Sequence, residues 1–293
     1  MRLVMLGTAG GPRPVPKRAA PAQAIVHRGE VHVIDCGNGV ARQMAMAGIA
    51  RSDLAATYIT HHHADHMLDL GALPLIAWTD GREEVIDLYG PPGTTAMTHD
   101  FLSMAAPEIA ARTATTGRRA FPEMLRNTDI HDARVVRERN GLRVSTALVD
   151  HPPFEVALGY RFDSDQGSVV FSGDTSYSPA LIELARGADV LVHEAIFPEA
   201  LAAQTEGANA GTLMDHLLGC HTTAADAGRV AAEAGVGTLV LSHLVPGGDV
   251  VSEEMWRDAA ASTFDGRIVV ARDLQEIPVG SGADRMMTTA KER

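Results

Sequence analysis

Residues 57–74, TYITHHHADHMLDLGALP, put four histidines and two aspartates into nine positions directly after an apolar run. Groups crowded in this way repel one another or stay hydrated unless something takes up their lone pairs together. A dication does so, since neutral imidazole and carboxylate are ordinary zinc ligands and the ion's charge removes the cost of crowding. His61, His63, Asp65 and His66 read H-x-H-x-D-H. Two residues one apart, leaving a strand end, point to the same side of a loop, and the D-H pair then opens a helix. Two pairs of ligands thereby face two adjacent points.

Four side chains are too few for two metal ions, and the rest of the chain repeats the grammar. STALVD is followed by His151, VVFSG by Asp174, and LVLS by His243. Each is a single ligand-type residue placed right after a β-rich run. The expected assignment is His61, His63 and His151 on one zinc and Asp65, His66 and His243 on the other. Asp174 bridges them, giving two zinc ions per chain. His62 is expected to turn away by alternation, while His27, His32, His99 and His131 are given no role.

Such ligands need a rigid frame. Short β-rich runs recur at 2–6, 30–35, 55–60, 85–90, 143–150, 168–173, 189–194, 238–243 and 267–273. Helix-like stretches lie between them at 40–49, 178–187, 222–235 and 252–263. Thr222 or Thr223 suits the N-cap of the third, and Ser252, supported by Glu254, that of the fourth. Strands alternating with helices predict a layered α/β architecture. Residues 93–130, with helical spacing broken by Pro107, Gly117 and Pro122, read as a helical insertion, either a lid or a plain excursion. No repeat or linker divides the chain, so residues 1–293 are expected to form one domain with a frayed tail at 280–293.

Composition narrows the class. The chain is 45% hydrophobic and 21% charged, enough apolar material for a substantial core. No stretch approaches the roughly 18–20 apolar residues that cross a bilayer, so no membrane partner is expected. The opening MRLVMLGTAGG reads as a strand and turn rather than a secretory signal, which predicts a cytoplasmic location. Cys36 and Cys220 are too few for a disulfide framework or a cysteine-rich zinc site. A net charge of −12, from 25 basic against 37 acidic residues, argues against a large polyanionic partner. PRPVPKR (12–18) and GRR (117–119) are the basic hints, and solvated loops explain both.

GTAGGPRP, VIDCGNGVARQM, YITHHHADH, FSGDTSYS, LVHEAIF, HTTAADAG and LVLSHL, in that order over most of the chain, resemble the metallo-β-lactamase superfamily. Within it they are similar to the ribonuclease Z and arylsulfatase-like branch. The resemblance implies an αββα four-layer sandwich with the metals at one edge, between the sheets. It puts His63 where di-iron oxygen-reducing relatives carry Glu, which favours zinc hydrolysis over redox chemistry. It also implies that His221, opening HTTAAD, is the proton donor near the substrate oxygen. Glu194 in VHEA would then hold its tautomer, as carboxylates behind a working histidine do. Monomer and homodimer both stay open.

Two zinc ions lower the pKa of a shared water toward about 7, and the hydroxide attacks phosphorus, sulfur or carbon. Asp65 is expected to ligate and to orient that water, so Asp65, Glu194 and His221 form the catalytic set. Ribonuclease Z carries a long Gly/Pro-rich basic arm between the third histidine and the bridging aspartate. Here residues 152–173 alone separate His151 from Asp174. The missing arm and the negative charge point to a small ester-like substrate: a phosphodiester, an aryl sulfate, or a carboxylic ester or lactone. The alternatives are a transfer-RNA 3′-processing endoribonuclease, hydrolytic displacement (dehalogenation) on an activated aromatic ring, and a non-catalytic metal-binding module.

Overall fold

The structure is a computed structural model and describes residues 1–202 and 210–280. Six strands build most of the first sheet: β1 (Arg2–Gly7), β2 (Ala22–His27), β3 (Glu30–Ile34), β4 (Leu54–Tyr58), β5 (Ile86–Gly90) and β6 (Leu125–Asp129). Seven more form the second: β7 (Val135–Arg139), β8 (Leu142–Val149), β9 (Ala157–Ser164), β10 (Gly167–Phe171), β11 (Val190–Ile196), β12 (Thr238–Val245) and β13 (Arg267–Val270). The chain then returns through β14 (Gln275–Ile277), which pairs with β1 and completes the first sheet. Strand orders are β14-β1-β2-β3-β4-β5-β6 and β13-β12-β11-β10-β9-β8-β7.

The helices are α1 (Val40–Met46), α2 (Ala64–Met67), α3 (Ala72–Thr79), α4 (Thr94–Thr116), α5 (Pro179–Ala185), α6 (Pro198–Ala202), α7 (Ala210–Cys220), α8 (Ala224–Ala234) and α9 (Glu253–Ala261). Leu3, Met5, Ile25, Ile34 and Tyr58 of one sheet meet Leu158, Tyr160, Phe162, Phe171 and Val192 of the other in an apolar layer between the sheets. Outside, α5, α8 and α9 cover the second sheet, and α1 and α3 cover the first. The result is the expected αββα sandwich. β11 is buried along its whole length because it runs parallel between β10 and β12 with apolar layers on both faces. β8 shows more of the buried–exposed alternation of a strand with one wet face. The Thr223 hydroxyl caps α8 through the Asp226 N–H, and the Ser252 hydroxyl caps α9 through that of Met255.

Residues 93–130 are not helical throughout. α4 runs unbroken through Pro107 to Gly117, which closes it in the left-handed conformation, and residues 125–129 are an edge strand of the first sheet. The tail expected at 280–293 lies, from residue 281 onward, outside the described residues. Among the described residues no helix is long and apolar enough to cross a membrane.

Candidate metal centre

The loop after β4 carries His61 and His63, and α2 carries Asp65 and His66. His151 follows β8, Asp174 follows β10, and His243 lies within β12. These ends all reach one edge of the sandwich, and the seven side chains meet there as two groups sharing Asp174.

In the first group, His61 Nε2 and His151 Nε2 lie 3.0 and 3.1 Å from the same atom, His63 Nδ1. The Thr60 hydroxyl donates to Asp35 and therefore accepts from His61 Nδ1 at 3.0 Å. His151 Nδ1 donates to the Cys220 carbonyl at 2.8 Å. Both imidazoles thus carry their proton on Nδ1 and aim a lone pair from Nε2 at one point. Burial keeps them neutral, holding His61 well below the usual histidine range and His151 at about 4. One proton on His63 cannot satisfy both lone pairs. A cation between the three nitrogens satisfies all of them.

The second group is built around Asp174 Oδ2, which lies 3.5 Å from His66 Nε2 and 3.3 Å from His243 Nε2. The same Nε2 atoms stand 3.5 and 3.4 Å from Asp65 Oδ2. Asp174 Oδ2 also reaches toward the first group, 3.7 Å from His61 Nε2. Burial opposes a charge on His66, yet the carboxylates of Asp174 and Asp35 hold its pKa well above the ordinary value. Asp174 Oδ1 and His66 Nε2 are buried without a hydrogen-bond partner. A proton trapped among carboxylates and an orphaned lone pair are the condition a divalent cation relieves. The donors present fit metal ions in both groups.

Backbone strain accompanies this placement. In the pairing of β11 with β12, Glu194 faces Ser242 and Ala195 faces Leu244, so His243 is the extra residue of a bulge. His243 has φ 45° and Asp35 φ 59°, left-handed values that cost a non-glycine residue about 1–3 kcal/mol. Gly10 leaves room for the bulge, since a Cβ there would lie 2.9 Å from both Nδ1 and the carbonyl oxygen of His243.

Glu194 and His221 adjoin the second group. His221 Nδ1 donates to Glu194 Oε1 and Oε2 at 2.9 and 2.8 Å, and Glu194 also accepts the Thr175 N–H. Burial pulls the His221 imidazole down, but Glu194, Cys220 and Asp174 together outweigh it and its pKa is pushed up to about 12. The ring therefore keeps its proton at neutral pH, and it stacks over His243 with centroids 5.9 Å apart. Asp65 keeps its charge: burial pushes the carboxyl up, but His243 and His66 hold it at about 2. His62 turns away from the two groups, with Nε2 2.9 Å from the Thr94 hydroxyl at the start of α4.

Two residues near the site carry no role in the sequence reading. Asp35 accepts the Thr60 N–H, the Thr60 hydroxyl and His66 Nδ1 at 2.8, 3.0 and 2.7 Å, and so aims ligands of both groups. Its signal in the sequence is its place at the end of the β-rich run 30–35, directly after β3. Phe154, against the first group, has no such signal.

The sequence profile of the beta-lactamase superfamily domain matches residues 32–244. The chain is 33% identical over 284 residues to a ribonuclease Z of Mycobacterium bovis, covering 95% of this chain and 98% of that one. It is 34% identical over 282 residues to a ribonuclease Z of Mycolicibacterium paratuberculosis, covering 95% and 98%. The crystal structure of the short form of human tRNase Z superposes with a TM-score of 0.69 at 18% identity, covering 95% and 99%. These matches overturn the expectation that the substrate is a small molecule and nucleic acid an unlikely partner. Relatives named ribonuclease Z align almost end to end with this chain. Net charge failed as a guide because it sums the whole surface, whereas a polyanion meets one face of it.

Proposed function

The chain belongs to the metallo-β-lactamase superfamily, in its ribonuclease Z and arylsulfatase-like branch, and we propose that it is a dinuclear zinc endoribonuclease processing the 3′ side of precursor transfer RNA. The observation that carries this reading is the end-to-end match to ribonuclease Z, at 33% identity over 95% of the chain. The buried donors that converge in two groups around Asp174 support it, since two-metal sites act on phosphodiesters by clamping attacking and leaving oxygens. We place the protein in the cytoplasm together with that substrate.

His61, His63 and His151 would hold one zinc and Asp65, His66 and His243 the other, with Asp174 shared. Bound there, zinc supplies Lewis acidity for an attacking water and positive charge for the phosphate oxygens. Asp65, ionised at neutral pH, accepts a hydrogen bond from a water entering between the groups and so restricts its orientation. His221, protonated and tied to Glu194 through Nδ1, delivers a proton from Nε2 to the leaving oxygen. A leaving alkoxide is basic enough to take it. Glu194 keeps the ring oriented and compensates its charge.

The test is cleavage of a precursor transfer RNA with a 3′ extension by zinc-loaded protein. The expected result is an endonucleolytic cut that releases the extension and disappears with a chelator or in Asp174→Ala. Hydrolysis of 4-nitrophenyl phosphodiesters with no cut in the RNA would contradict the reading.

A further inference from the structure

Phe154 stands on the turn after His151, its N–H bonded to the His151 carbonyl at 3.1 Å. Its neighbours Pro152, Pro153 and Glu155 are exposed, while Phe154 is half-buried. The ring lies parallel to His151, 13° between planes and centroids 6.0 Å apart, and edge-on to His63 and His61 at 4.7 and 5.5 Å. Among the described residues no other phenylalanine, tyrosine or tryptophan makes a ring contact with these seven side chains. His221 also contacts the His151 ring, edge-on with centroids 5.1 Å apart. The same imidazole thus has the proposed proton donor and a partly open aromatic ring as neighbours.

A phosphodiester seated on the donors has a nucleoside on each side of it. An aromatic ring beside the cut bond, held by packing rather than buried, is what stacks an unpaired base irrespective of sequence. We propose that Phe154 is a specificity-determining residue, stacking one nucleobase that flanks the scissile phosphodiester. This inference rests on the endoribonuclease reading above. A ring that merely covered the donors would need apolar volume alone, and that difference makes the two roles separable.

The experiment uses zinc-loaded full-length protein, intact precursor transfer RNA, and the same RNA made abasic at the nucleoside on either side of the cut. Phe154→Ala is expected to lower kcat/KM on intact RNA about 5- to 150-fold, the loss of one aromatic–base stack. Phe154→Tyr should restore the rate and Phe154→Leu should not, with zinc content unchanged in all three. On RNA abasic at one of the two positions, wild type and Phe154→Ala should cut equally. Restoration by leucine, or the same loss on both abasic RNAs, would overturn the proposal. If wild type cuts no RNA, the endoribonuclease reading fails by itself. The stack is then judged on thymidine 5′-(4-nitrophenyl phosphate) against methyl 4-nitrophenyl phosphate. A Phe154→Ala loss confined to the nucleoside ester supports it, and an equal loss on both overturns it.

Discussion

His221 gives its Nδ1 proton to both carboxylate oxygens of Glu194, at 2.9 and 2.8 Å, in a buried pair beside the candidate metal centre. Neither residue is assigned to the two donor groups, yet the pair fixes which ring nitrogen is free to act. Removing His221 should therefore cost catalysis and spare the metal. His221→Ala is expected to lower kcat by about 10²–10⁴-fold, the usual contribution of a positioned general acid, while zinc content per chain stays at the wild-type value. Equal activity in the variant would show that another group protonates the leaving oxygen.

The same pair sets a pH dependence of stability. The His221 pKa is pushed up to about 12 in the fold, against about 6.5 for an unfolded histidine. Its contribution to stability is complete below the unfolded value and drains away as pH rises toward the folded one. The urea midpoint of metal-free protein is expected to fall from about pH 7 to 9.5, and to fall less steeply in His221→Gln. Identical slopes in the two proteins would contradict the assignment.

Asp35 acts through its neighbours. It holds Nδ1 of His66 at 2.7 Å and, through the Thr60 hydroxyl, backs His61. Asp35→Asn keeps the shape and removes the charge, so the fold should survive. Zinc affinity, read by competition with a chromogenic chelator, is expected to weaken by about 10- to 100-fold. An affinity equal to wild type would leave Asp35 a purely structural residue.

Gly10 provides a test specific to the second donor group. A Cβ at this position would clash with Val245 Cγ2 and lie 2.9 Å from both Nδ1 and the carbonyl oxygen of His243, on a bulge that already has a left-handed backbone. Gly10→Ala should displace His243 and lower bound zinc from two per chain toward one, with the first group retained. Two tightly held ions in that variant would mean that the bulge yields without moving its ligand.

The strand framework was legible at most buried strands, though not at β2 (AQAIVH), which lies buried between β1 and β3 but has too short an apolar run to stand out. Runs such as DVLVHE and TLVLSH are apolar because β11 and β12 lie inside the second sheet, and their register then carries Glu194 and His243 to the centre. The edge strands β6 (LRNTD) and β7 (VVRER) leave no such signal, because each has one open side and a polar, partly exposed sequence without a period of two. At the site, residue type and position after a strand located the donors. Asp35 closes the run 30–35 just before CGNG, where an aspartate has the sequence character of an ordinary turn residue. Phe154 carries no such signal, since nothing local marks a phenylalanine that packs against imidazoles from two distant parts of the chain. Charge misled for a physical reason: the sum of −12 describes long-range solution behaviour, not the field at one cleft.

Zinc counted per chain by elemental mass spectrometry, on protein stripped with chelator and then reloaded, tests the account most directly. Convergence of His61, His63, Asp65, His66, His151, Asp174 and His243 predicts two ions in wild type and fewer in Asp174→Ala. Reloaded protein that holds no zinc, or an Asp174→Ala variant that holds two as tightly as wild type, would contradict it.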